Sequence, residues 1–176
     1  MRITLVKSKP EEGMSEKNWK LLSDKIEFSQ AELFHIWTKE IVTALNALPG
    51  YRWVGFYWII EDMLYLGAWV GPAATEHVAI PVGQGICGLA ARTHETVIVD
   101  DVSKDPRYLQ CFLDTKSEIV VPVFRDGDST KDVVGEIDVD GDKIATFTTE
   151  DRKQLEAIAV TVGKSYPNGF DPRNRN

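Results

Sequence analysis

The stretch SEIVVPVFRDGDSTKDVVGEIDVDG, residues 117–141, decides the fold class. Two runs rich in Val and Ile, residues 118–124 and 133–140, flank a polar segment that holds Asp, Ser and Gly. Branched residues favour strands, whereas Gly and Asp favour turns. The pattern therefore predicts two neighbouring strands that are joined by a short connection and run antiparallel.

The same reasoning predicts strands before this stretch. YRWVGFYWII and MLYLGAWVG are separated only by Glu61 and Asp62, which is typical of a hairpin, and HVAIP and VIVDDV are two shorter strands. Because strands outnumber helices and most connections are short, we expect an α+β fold. Its centre is one antiparallel sheet with helices packed on it.

Three helices complete the prediction. Ser29 can cap a helix that follows helical spacing to Leu48, and Gly50 supplies its stop. The glycines of VGQGICGLAARTHET precede a short helix. Thr148 and Asp151 have the spacing of a capping box at the start of the last helix.

Composition narrows the function classes. The chain has 176 residues, with 43% hydrophobic and 27% charged, which suits one soluble globular domain. A formal net charge of −7 disfavours nucleic acid and anionic membranes as partners. No signal peptide or membrane span is recognisable, so we expect a cytoplasmic protein whose thiols are reduced. Two cysteines and three dispersed histidines give no metal-ligand spacing.

Acidic residues stand out in the two strands. Alternation places Glu136, Asp138 and Asp140 on one face, which is either a solvated surface or a cationic subsite that can also keep one acid protonated. Glu118 heads an apolar run, either as a strand end paired with Lys116 or as a buried acid. The pattern alone leaves both pairs of alternatives open.

Two thiols and two aromatic residues are the other candidates. Cys87 lies near a predicted helix N-terminus, which favours a thiolate, although a buried small hydrophobe is the commoner role. Cys111 lies in a turn-rich loop, so the pair could act as nucleophile and resolving thiol. Trp53 and Tyr57 share one face of a strand, as core residues or as the wall of a pocket.

In their order along the chain, several motifs resemble those of GAF-domain proteins, and most closely those of free methionine-(R)-sulfoxide reductases. These motifs are WVGFYWI, LYLGAWVG, IPVGQGICGLAA, VIVDDV, SEIVVPV, VVGEIDVD and FTTEDRKQLEAIA. The resemblance covers roughly residues 30–163. Together with the local patterns at the two ends, it divides the chain into an N-terminal arm with a short helix at 1–28, a GAF domain at 29–164 and a disordered tail at 165–176.

The resemblance also implies roles for individual residues. Cys111 matches the cysteine that attacks the sulfoxide sulfur, and Cys87 matches a second family cysteine. The carboxylates that hold the substrate amine and assist protonation of the oxygen match Glu118, Asp138 and Asp140, and the aromatic residues of the methyl-sulfoxide pocket match Trp53 and Tyr57. One departure is His77, which occupies the position of a third cysteine in other members. The resolving thiol is then either Cys87 or an external thiol.

The activity implied is reduction of free L-methionine-(R)-sulfoxide to methionine. A sulfenic acid and then an intramolecular disulfide would form, and thioredoxin or another dithiol would reduce the disulfide without a metal or organic cofactor. Family members are often dimers, so a homodimer is also implied. The alternative is a non-catalytic GAF module that senses a small metabolite or nucleotide. A bilin-binding photoreceptor is a weaker alternative, because it needs a chromophore-linked cysteine.

Overall fold

A six-stranded antiparallel sheet forms the centre of the computed structural model, which describes residues 29–110 and 112–174. The strand order is β3-β2-β1-β6-β5-β4, so the two strands of residues 117–141 lie side by side as predicted. The strands are β1 (Tyr51–Ile60), β2 (Met63–Val70), β3 (Ala79–Pro81), β4 (Val97–Val99), β5 (Ser117–Phe124) and β6 (Val133–Gly141).

Helices cover both faces of the sheet. They are α1 (Gln30–Asn46), α2 (Gly85–Thr93) and α3 (Thr149–Ser165), and short 3-10 turns lie at Val102–Lys104 and Arg125–Gly127. Side chains of α1 and α3 pack against one face, whereas those of α2 pack against the other. The predicted α+β arrangement is confirmed. None of the helices in the described part of the chain is both long and apolar enough to cross a membrane.

The predicted helix starts are also confirmed. Ser29 and Glu32 form a capping box at α1, and Thr148 and Asp151 form another at α3. Each box satisfies amide groups that the first helical turn leaves without partners. Helix α1 ends at Asn46 rather than Leu48, which is 45% exposed.

Each face of the sheet has its own hydrophobic core. The helix-side core lies under α1 and α3 and is aliphatic and aromatic, with Phe34, Val42, Phe56, Trp58, Ile137, Leu155 and Val162 among its buried members. The site-side core lies under α2 and contains Trp53, Tyr57, Leu64, Ile86, Cys87, Ala90 and Val120. The strands therefore bury both of their faces.

The C-terminal segment contributes to the helix-side core. Phe170 is buried, and its ring centroid lies 5.1 Å from that of Phe34 and 5.6 Å from that of Trp58. Tyr166 packs against the same rings. The predicted disorder after residue 164 is therefore wrong for these residues, because two aromatic side chains fill a place in the core. The predicted arm at 1–28 lies outside the described residues.

Candidate active site

Four buried acids lie together on the site side of the sheet. Alternation along β6 places Glu136, Asp138 and Asp140 on one face, and the pairing of β5 with β6 sets Glu118 opposite Asp140. Their exposed fractions are only 0–5%. The interpretation of this face as a solvated surface is therefore wrong, because α2 and the loop after β4 cover a side of the sheet that the strand pattern alone could leave open.

Several carboxyl oxygens in this cluster have no hydrogen-bond partner among the described residues. They are Oε2 of Glu118, both oxygens of Glu136 and Oδ1 of Asp138. The alternative in which Glu118 pairs with Lys116 in water is also wrong, since Glu118 is buried and only 5% exposed. Burying such groups without partners is unfavourable. The unpartnered oxygens can therefore bind a cation when the acids are ionised. When an acid is protonated, it can donate its proton.

Burial shifts the ionisation of this cluster. Desolvation and the neighbouring carboxylates raise the pKa values of Glu118 and Asp140 well above their usual range, and the pKa of Glu136 rises for the same reasons. Desolvation raises the pKa of Asp138 to about 7. For Asp140, the charge of Arg52 acts in the opposite direction and lowers the pKa. Protonated carboxyl groups are thus populated at neutral pH, where they can donate protons.

Cys87 lies directly against these acids. It belongs to the first turn of α2, and its thiol points to Glu118, with 3.9 Å between Sγ and Oε1. The prediction that the helix N-terminus favours a thiolate is wrong here. Burial first, and then the charges of Asp138, Glu136 and Glu118, raise the pKa of the thiol well above its ordinary value. Cys87 is therefore a protonated thiol at neutral pH.

Trp53 and Tyr57 form an aromatic wall beside the acids. Both are buried, and their ring centroids are 6.4 Å apart. The Trp53 ring also stacks on Trp69, with 6.1 Å between centroids. Gly55 leaves space for this ring, because a Cβ atom at that position would lie 2.3 Å from Cη2 of Trp53. The wall is therefore fixed by packing on several sides.

Position 77 supports this wall through its backbone. The Tyr57 hydroxyl donates a hydrogen bond of 2.9 Å to the carbonyl oxygen of His77. The His77 amide in turn donates to Oγ1 of Thr75 over 3.0 Å. These contacts hold the loop between β2 and β3 against the aromatic residue, and neither contact depends on the side chain at position 77.

Cys111 lies outside the described residues, but the chain is described on both sides of it. Leu109 packs so closely on Gly85 that a Cβ atom there would lie 2.8 Å from Cδ1 of Leu109. Phe112 has its ring centroid 6.2 Å from that of Trp53. The residues that flank position 111 therefore contact the start of α2 and the aromatic wall.

The family resemblance assigns no role to two residues of this region. Glu136 is fully buried and contributes to the raised pKa of Cys87. Strand alternation had already placed it on the same face as Asp138 and Asp140. Arg52 contributes positive charge beside Asp140. It follows a tyrosine at the start of a strand and carries no sequence signal of its own.

Comparisons with known proteins agree with this geometry. The profile of the GAF domain family matches residues 35–164. A type II free methionine-R-sulfoxide reductase of Thermoplasma acidophilum has a solved structure with a TM-score of 0.73 and 38% identity. That alignment covers 78% of this chain and 94% of the other.

Two further reductases are similar. The solved structure of fRMsr from Staphylococcus aureus in complex with its substrate has a TM-score of 0.66 and 32% identity, and the alignment covers 84% of this chain and 95% of that one. Free methionine-R-sulfoxide reductase of Saccharomyces cerevisiae is 40% identical over 117 residues, which are 65% of this chain and 62% of the yeast protein. The chain therefore belongs to the GAF-domain family and, within it, to the free methionine-R-sulfoxide reductases.

Proposed function

We propose that this protein is an oxidoreductase that reduces free L-methionine-(R)-sulfoxide to methionine. The observation that carries the proposal is the position of the Cys87 thiol, 3.9 Å from a carboxyl oxygen of Glu118 and beside an aromatic wall. Three relatives that carry the reductase name, at 32–40% identity, support the same activity. The activity in the names of these relatives therefore agrees with the chemistry available to the buried acids and Cys87.

Substrate binding would use the two halves of the site differently. The ammonium group is the cation that the unpartnered oxygens of Glu118 and Asp138 can accept, with Asp140 beside them. The methyl group and sulfur would pack on Trp53 and Tyr57. A peptide-bound methionine sulfoxide has no free ammonium group, so it would leave the buried acids without a partner. This difference favours the free amino acid.

The reductive step would begin with a protonated carboxyl group of the cluster. Protonation of the sulfoxide oxygen makes the sulfur electrophilic, and the Cys111 thiolate attacks it. In net terms, the oxygen moves from the substrate sulfur to the sulfur of Cys111, and two electrons move the other way. Methionine leaves, and Cys111 becomes a sulfenic acid.

Cys87 would then resolve the sulfenic acid. The Cys87 sulfur forms a bond with the Cys111 sulfur, and the sulfenic oxygen leaves as water with the thiol proton. The contacts of Leu109 and Phe112 support an approach of the loop to the start of α2. Thioredoxin or another dithiol would supply two electrons and return both thiols, so the cycle needs no metal or organic cofactor.

A thioredoxin-coupled assay that follows NADPH oxidation tests this proposal. With methionine-(R)-sulfoxide, the wild-type protein should turn over and Cys111→Ser should not. Cys87→Ser should lose activity with thioredoxin but keep it with a small external thiol, because the sulfenic acid still forms. Turnover by wild type that does not exceed that of Cys111→Ser would contradict the reductase activity. Binding of the sulfoxide without turnover would instead favour the sensor alternative.

A further inference from the structure

Arg52 occupies a β-bulge at the edge of the candidate site. Across the β1–β6 pair, Tyr51 lies opposite Gly141 and Trp53 lies opposite Asp140. Two steps along β1 therefore match one step along β6, and Arg52 is the extra residue. Bulges change the direction of a side chain and are common beside active sites.

The packing on either side of the bulge shows this change of direction. Residues two apart on a regular strand share a face, yet Tyr51 belongs to the helix-side core and Trp53 to the site-side core. The side-chain amide of Asn46 stabilises the bulge, since its nitrogen donates to the carbonyls of Tyr51 over 3.2 Å and of Arg52 over 3.0 Å. The unusual backbone at Arg52 is thus fixed from the end of α1.

The guanidinium of Arg52 is held through Nη2, whereas its Nε–H has no partner among the described residues. Nη2 forms an ion pair with Asp114, in the loop that follows position 111. Nε is buried and has no hydrogen-bond partner among the described residues. Arg52 also precedes Trp53, whose Cα lies opposite Asp140 of the acid cluster, and the charge of the guanidinium lowers the pKa of Asp140.

The acid cluster creates a need for such a cation. A free amino acid carries a carboxylate as well as an ammonium group, and any ionised acid of the cluster that attracts the ammonium repels the carboxylate. Among the described residues, Arg52 is the basic side chain whose charge opposes the raised pKa of an acid in the cluster. Arginine is well suited to carboxylates, because its planar group presents fixed N–H donors.

We propose that Arg52 binds the α-carboxylate of the substrate through its Nε–H, while the ion pair with Asp114 orients the guanidinium. Arg52 is then a specificity-determining residue that selects amino acids with a free carboxyl group over those with a blocked one. The assignment deepens the proposed function and rests on it. The acids would bind the ammonium group of the substrate and Arg52 would bind its carboxylate, so that both charged groups of a free amino acid are recognised.

The test compares methionine-(R)-sulfoxide with its carboxamide, which lacks the negative charge. For wild type, kcat/KM should favour the free acid by about 10-fold or more, as expected for a hydrogen bond to a charged group. In Arg52→Gln, the ratio between the two substrates should fall towards one, mainly through KM for the free acid. Arg52→Lys should keep part of the ratio. Asp114→Asn should lower it less than Arg52→Gln, because the guanidinium remains.

Two kinetic outcomes would overturn the assignment. One is a ratio that Arg52→Gln leaves unchanged. The other is an equal loss for both substrates, which indicates a structural role only. Calorimetric binding of the same two compounds to Cys111→Ser, with and without Arg52→Gln, separates this assignment from the reductase proposal. Discrimination that disappears with Arg52 supports the assignment even where no turnover occurs, and equal binding of both compounds to the Cys111→Ser protein contradicts it.

Discussion

The two faces of the β-sheet both bury large side chains, but the chemistry of the two faces is very different. On the helix side, Phe34, Phe56, Trp58 and Phe170 pack ring against ring. On the site side, aromatic residues stand beside a thiol and four acids whose oxygens are only partly paired. The same strands, through alternation, supply both faces.

The difference separates stability from function. Apolar burial contributes roughly 25 cal/mol for each Å² removed from water, so the helix-side core stabilises the fold. A buried carboxyl group without partners acts in the opposite direction. The buried acids of the site side are therefore destabilising in the absence of a ligand, and apolar burial elsewhere must compensate for them. Removal of a helix-side ring and removal of the charge of a site-side acid should therefore change stability in opposite directions.

The largest expected effect on stability is at Trp58 on the helix side. Its side chain is fully buried, stacks on Phe56 and contacts Phe34. Trp58→Ala should lower the free energy of unfolding by about 3–5 kcal/mol, because it removes packing and leaves a cavity. Urea unfolding measures the change. Trp58→Phe, which keeps an aromatic ring, should cause a clearly smaller loss, and equal losses for the two variants would contradict this explanation.

A smaller effect of opposite sign is expected at Glu136 on the site side. Burial raises its pKa, so its contribution to stability is present below the unfolded pKa and is lost as the pH rises through the folded pKa. Glu136→Gln cannot ionise. It should match wild type near pH 4 and be more stable by about 1 kcal/mol or more at pH 8, since one pKa unit corresponds to about 1.4 kcal/mol.

Thermal or urea unfolding across this pH range measures the difference. Glu40→Gln, at an exposed position of α1, is the matched control and should leave the pH dependence of wild type unchanged. If Glu136→Gln were less stable than wild type at pH 8, the acid would be stabilising the fold. The contrast between the two faces would then be wrong.

The smallest effect is expected at a helix cap far from the acids. Thr148 accepts a hydrogen bond from the Asp151 amide at the start of α3. Thr148→Ala should lower the free energy of unfolding by about 1 kcal/mol and leave sulfoxide reduction unchanged. Thr148→Ser keeps the hydroxyl and should behave as wild type. A loss of activity with Thr148→Ala would show that the helix side contributes directly to the site.

Local sequence rules predicted much of the fold. Alternation in residues 133–140 gave the strand and the shared face of its acids, and the caps at Ser29 and Thr148 are in place. These features depend on neighbouring residues only. Whether the acidic face of this strand is buried depends on which other segments cover it. Strand alternation does not contain that information.

The features that the sequence did not predict depend on contacts between distant segments. Burial, followed by the charges of acids that are distant in sequence, raises the pKa of Cys87 despite its position at a helix N-terminus. The bulge at Arg52 depends on the register between two strands, and the burial of Phe170 depends on a gap beside Phe34 and Trp58. Each of these requires the tertiary structure, whereas periodicity describes one segment at a time.

A single-turnover measurement tests the central claim most directly. The fully reduced protein is mixed with excess methionine-(R)-sulfoxide without any reductant, and methionine, free thiols and disulfide-linked peptides are counted. We expect about one methionine per chain, the loss of both thiols and a peptide pair joined through Cys87 and Cys111. Cys87→Ser should form about one methionine without the disulfide. Formation of no methionine by the wild-type protein, or loss of both thiols without methionine, would contradict the account.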